Sequence, residues 1–285
     1  MKLDYHQPKE WITHPVNESA VLGSTIFILP GAKIRKDPGL ITLFGPGCTI
    51  QEDVGVHAHA IGDFFNWLTE VIGISSDMAK AVIKRFSKFT DTDFKGGIIL
   101  GPVNNFGHKA VCHGTVLTGY NVFYGLRSTV HNLVTGNNVY IGHETKMFNC
   151  YVDDNVEIQE GCRIKNCIIG KNVRIGDFCT LKNCIIEDNT VVETRAEIIG
   201  TKEHKLKIGG NSWLSTACEV YVDINENSLV PMRMVVDGPD EASKLNRNIM
   251  INPVTDFGLV VWDHMMELSH ISHEVMNYIK QEFFK

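Results

Sequence analysis

Asparagine returns at a fixed interval through the middle of this chain, and that interval restricts the fold more than any other feature. Asn121, Asn138, Asn155, Asn172 and Asn189 lie 17 residues apart, and Asn132, Asn149, Asn166 and Asn183 keep the same spacing. Rows beginning at Thr118, Thr135, Val152, Ile169 and Ile186 align three apolar columns as well. One holds Val122, Val139, Val156, Val173 and Thr190; the next Tyr124, Ile141, Ile158, Ile175 and Val192; the third Val130, Met147, Ile164, Leu181 and Ile198. A repeat this short makes each row one small unit that cannot bury its own apolar face and must stack on its neighbours. Apolar positions recur roughly every six residues and β-branched side chains dominate, so a row reads as short strands joined by tight turns. The columns become ladders of inward side chains on strands about 4.8 Å apart. The asparagines mark turns, where Asn accepts a left-handed backbone or bonds its side-chain amide to the next coil.

This pattern resembles the left-handed parallel β-helix of hexapeptide-repeat proteins, whose coil is nominally three hexads. The expected fold is mainly β, with 17–18 residues per coil over residues 1–236. Two segments leave the repeat. Between Asp63 and Thr90 the spacing turns helical, with Phe64, Trp67, Leu68, Val71 and Ile72, then a Ser75-Ser76-Asp77 start and Met78, Val82, Phe86 and Phe89. This predicts a helical insertion at about 63–90. Residues 237–285 read as a loop containing Gly238-Pro239-Asp240, then a helix on a stripe from Val261 to Ile279 packed along the outside of the solenoid.

Charge and cysteine usage bound the partners. The chain carries 27 basic and 33 acidic side chains for a net −6, with no basic arm, so no nucleic-acid partner is expected. No run of 18 apolar residues predicts a membrane span, and Met1 to His14 carries Asp4, His6, Lys9 and Glu10 where a signal peptide would be apolar. Eight cysteines without a Cys-x-x-Cys pair, in columns such as Cys150, Cys167 and Cys184, suit reduced, buried thiols and a cytoplasmic location.

Histidine interrupts the repeat. Extending the 17-residue register backward places Asn104 in the Asn121 column, His113 in the core column of Val130 and Met147, and His108 in the column of Gly125 and Gly142. A histidine in an aliphatic ladder costs desolvation unless something binds it. Two in one coil suggest part of a metal site, and a third candidate lies upstream in Gln51-Glu52-Asp53-Val54-Gly55-Val56-His57-Ala58-His59, where His59 competes with His57.

Three blocks then resemble the γ-class carbonic anhydrases. They are Leu29-Pro30-Gly31-Ala32-Lys33-Ile34-Arg35-Lys36-Asp37-Pro38-Gly39, Thr49-Ile50-Gln51-Glu52 with His57, and Gly107-His108 through His113-Gly114, continuing to Val130. A weaker match runs from Asn227 to Val236, after about four extra coils. The resemblance implies a homotrimer that interconverts carbon dioxide and bicarbonate. His57 and His113 of one subunit and His108 of its neighbour would hold zinc, with iron or cobalt allowed by the same nitrogens. Arg35 and Asp37 would pair at the interface, Gln51 would bond the reacting hydroxide, and Glu52 would stand for an aspartate. Pro38 and Ala60 replace acids that relay protons in the active branch, and His264 falls near a family asparagine. His131 and His143 read as turn or solvent-facing residues, since their third partner would be Phe148, and Cys112 should point away from His113.

Two other functions fit the same solenoid. One is an acyltransferase with a histidine general base and no metal; the other is a non-catalytic scaffold, to which the extra coils and the insertion would suit.

Overall fold

The computed structural model describes residues 20–22, 26–29, 31–37, 40–45, 47–86 and 94–245. The helix expected after residue 253, His264, the first 14 residues, Phe89, and Pro30, Pro38 and Gly39 lie outside them. Among the described residues no helix is long and apolar enough to cross a membrane.

The chain winds as a left-handed parallel β-helix of triangular coils. One face is a ten-stranded parallel sheet running from Phe27–Ile28 to Leu229–Val230. The other two faces join into a 16-stranded sheet, because Val111–Thr118, Thr129–Thr135 and Lys146–Val152 each pass through the corner between them. The three apolar columns point inward as expected; Val122, Ile141, Val130 and Met147, for example, have no exposed surface.

Corners are where the asparagines act. Asn132, Asn149, Asn166 and Asn183 hold φ between 49° and 56°, a left-handed backbone that costs most L-residues about 1–2 kcal/mol. Each side-chain amide donates to the Oδ1 of the next, at 3.1, 3.2 and 2.9 Å, and Asn183 closes the series on the Gly200 carbonyl at 3.1 Å. A second ladder runs from Asn121 through Asn138, Asn155, Asn172 and Asn189 to Asn211. Both satisfy polar groups that stacking coils would otherwise bury unpaired.

The backward extension of the register needs a correction of one residue. Phe123 pairs with Asn105 and His131 with His113, an offset of 18, whereas Leu133 pairs with Val116, an offset of 17. The extra residue lies at Gly114–Thr115, a bulge opposite Asn132, with Gly114 at φ 81°. A Cβ on Gly114 would meet Asn132 Oδ1 at 2.2 Å, so only glycine fits. The coil that runs from Asn105 through the bulge holds three full hexads. Asn104 therefore stands beside Val122 rather than Asn121. Cys112, not His113, occupies the core slot beside Val130, and Gly107, not His108, stands beside Gly125.

The insertion leaves from this same corner. Gly55–Ala58 ends one face and Gly97–Leu100 begins the next, with helices at Phe64–Asn66, Trp67–Ile72 (a π-helix) and Ser76–Phe86 between them. Asp63 caps the first by accepting from the Asn66 N–H at 2.8 Å, and Ser75 caps the last by accepting from Met78 at 3.2 Å. Their apolar faces, including Phe64, Leu68, Ile72 and Val82, cover an outward ladder of Ile99, Leu117, Val134, Tyr151 and Ile168. Without that cover the ladder would be an exposed apolar stripe.

The cysteines are buried and free, as their columns suggested.

Replacing Asn166 tests the corner argument. Asn166→Ala loses two ladder bonds and puts a Cβ-bearing residue without side-chain compensation at φ 56°, a cost of about 2–4 kcal/mol. Asn166→Gly loses the bonds alone. Urea unfolding should rank wild type above glycine and glycine above alanine; an alanine variant as stable as wild type would refute the role given to the ladder.

Candidate metal centre

Register places the first two histidines together. His57 pairs with His113 across adjacent parallel strands, and their neighbours Val56, Ala58 and Cys112 point into the core with at most 1% exposure. Alternation then turns both imidazoles outward, where they are half-buried. His59, two residues beyond His57, falls on the same side. The ring centroids lie 4.0 Å apart for His57 and His59, 4.6 Å for His59 and His113, and 5.2 Å for His57 and His113. One ring nitrogen from each of the three lies within 4.8 Å of the others.

Asp37, from the strand on the far side of His57, supports this group. Its Oδ2 is 2.9 Å from Nδ1 of His59, and its Oδ1 is 3.6 Å from Nε2 of His57. The His59 hydrogen bond, with the charges of both rings, holds the Asp37 carboxyl below its ordinary range. His59 is fixed through its backbone as well. Its N–H donates to the Gly114 carbonyl at 3.2 Å, and its carbonyl accepts from the Thr115 hydroxyl at 3.1 Å. That hydroxyl accepts in turn from Gly97 N–H at 3.2 Å, so the bulge clasps both roots of the insertion beside the histidines.

Burial, then the neighbouring His59, His57 and His131, pull the His113 pKa down and keep a lone pair available near neutral pH. His131 continues the column, its ring 5.6 Å from His113 and its pKa also lowered by burial. Phe148 follows at 6.1 Å and ends the run of imidazoles.

The other expected site residues form a separate group at a different corner. Gln51 Oε1 accepts from the His108 N–H at 2.9 Å, and Glu52 Oε2 lies 3.9 Å from His108 Nδ1. His108 is not in the three-histidine cluster within one chain. Arg35, exposed and in register with His57, makes no ion pair with Asp37 among the described residues; Asp37 faces the imidazoles instead. His143 is structural, its Nδ1 accepting from the Leu126 N–H at 2.8 Å as Asp177 accepts from the Glu160 N–H two coils on. Cys112 points into the core, where burial pushes its thiol up.

A family model described as the EIF2B subunit epsilon LbH domain, LbH standing for left-handed β-helix, matches residues 96–198. The solenoid is of the hexapeptide-repeat, left-handed type. That match takes in His108 and His113 and begins after His57 and His59, so it bears on the coils and not on the cluster. No curated protein matches the chain.

The depressed histidines set a pH dependence for the metal-free protein. As pH falls through about 6.5 the unfolded chain takes up protons that His113 and His131 resist in the folded state, so stability drops from pH 7.5 towards 5.5. Unfolding in the presence of a chelator should show that slope, flattened in a His113→Asn/His131→Asn double variant. Equal slopes would contradict it.

Proposed function

We propose that this protein is a metal-dependent hydratase of carbon dioxide of the γ-carbonic-anhydrase type, working as a homotrimer. The observation that carries the reading is the outward pairing of His57 with His113, set by strand register, on a solenoid whose remaining candidates, His108 and Gln51, sit together elsewhere. Two half-sites on one chain are what a site shared between identical subunits requires, His57 and His113 meeting His108 of the partner subunit.

The donor set fits a divalent ion. Three neutral imidazoles leave the ion's charge undiminished, and an Asp–His pair beside a ligand fixes ring orientation in the way metal sites commonly use. Zinc is the first expectation, with iron or cobalt suited to the same nitrogens. Bound there, the ion supplies Lewis acidity that brings the ionisation of water near neutrality. The chain's own residues do the rest. Half-burial of His57 and His113 limits competing water, and burial lowers the His113 pKa so that this ring stays unprotonated near neutral pH. With its Oε1 committed to the His108 backbone, Gln51 has its side-chain N–H2 left to orient an oxygen of carbon dioxide or bicarbonate. Ala60 is exposed and offers no carboxylate, so proton removal falls to buffer.

The name of the matching family, that of a subunit, favours a second reading, in which the solenoid serves an assembly without turnover. Hydration activity separates the two.

Protein purified without oxygen should carry about one metal per subunit and hydrate carbon dioxide in a stopped-flow assay, faster as buffer concentration rises. His113→Ala should lose both metal and activity, and His108→Ala should lose at least tenfold in activity while remaining folded. A metal-free, folded wild type, or equal hydration by wild type and His113→Ala, would overturn the proposal.

A further inference from the structure

We infer that a single subunit binds a divalent transition-metal ion by itself, through His57, His59 and His113, with His59 as the third ligand before any partner contributes. This inference deepens the reading above and rests on it for His57 and His113; His59 and Asp37 are its own.

The argument is geometric. A zinc-like ion at about 2.0–2.1 Å from each nitrogen sets tetrahedral ligand nitrogens about 3.3 Å apart. The three imidazoles already have one nitrogen each within 4.8 Å, so closing on an ion asks for a convergence of about 1 Å per ring, within reach of small side-chain rotations. All three backbones are fixed. His57 and His113 are in ladder register, and His59 is held at both N–H and carbonyl by Gly114 and Thr115. The bulge that made the sequence register slip is therefore the device that sets the third ring beside the other two.

The tautomer also fits. Asp37 Oδ2 accepts from Nδ1 of His59 at 2.9 Å, which leaves the His59 Nε2 lone pair free for a cation. An ion there would sit against a carboxylate-supported imidazole, an arrangement that raises ligand basicity. The three rings lie partly exposed on the outside of the solenoid, so an ion can reach them without unfolding. Metal could then load on a subunit before assembly, and His108 of the partner subunit would meet an ion already in place.

Cobalt(II) titration of the full-length protein, stripped of metal, reads this directly, since tetrahedral cobalt absorbs strongly in the visible. Wild type and His108→Ala should both bind one cobalt per subunit with such bands. His59→Ala/His108→Ala should lose binding at least a hundredfold, with His59→Gln/His108→Ala as the check should alanine fail to fold. Asp37→Asn in the His108→Ala background should weaken binding about 10–100-fold. If His108→Ala alone abolishes cobalt binding, the inference is wrong and the shared site stands. If His108→Ala keeps both cobalt and full hydration activity, the single-chain site stands and the shared site fails. Undiminished cobalt binding by His113→Ala would sink both.

Discussion

Each regular coil of the described residues turns three corners on a left-handed backbone, as at Asn121, Arg127 and Asn132, a conformation that only glycine enters without strain, and asparagine holds two of the three. Asparagine resolves the difficulty in a second way. It tolerates the conformation, and its amide, donating upward and accepting from below, ties each corner to the next. The ladders thereby fix not only the turn but the register of adjacent coils. Since neighbouring residues on a strand face opposite ways, register decides which side chains are core and which are surface. His57, His113 and His131 share one outward column for this reason, while Val56, Cys112 and Val130 share the inward one.

One departure from the 17-residue coil then shapes the region around the histidines. At Gly114–Thr115 the coil keeps its eighteenth residue, and the backbone there binds His59 on one side and Asn132 on the other. The helical insertion leaves the solenoid at that point and folds over the outward apolar ladder of the adjoining face. The surface is thus divided. One outer face is sealed by the insertion, and the face with the imidazoles next to it stays open.

Much of this was legible in the sequence because the repeat is nearly exact. The inward ladders, both asparagine series, the parallel stacking and the helical insertion with its Ser75 start all follow from column identity and apolar spacing. The slip came at a single residue. Carrying the 17-residue row back past Gly114 put His113 in the core and His108 in a glycine column, because a bulge leaves no mark that distinguishes Gly114-Thr115 from an ordinary strand end. The position of His59 as a full member of the cluster depended on the same bulge, although the His57-x-His59 spacing, which places two imidazoles on one side of a strand, was there to be read. The partner of Asp37 was not legible. Arg35 and the imidazoles are all within reach of an outward carboxylate on adjacent strands, and only coordinates show that it turns to His59.

The central claim is that strand register builds a cation site on the outer face of the solenoid from His57 and His113. Anomalous diffraction from crystals of the metal-loaded protein, recorded at the absorption edge of the bound metal, tests it most directly. The account predicts a single strong peak per subunit about 2 Å from a ring nitrogen of each of these two histidines. A peak elsewhere, or none beside that pair in protein that contains metal, would contradict it.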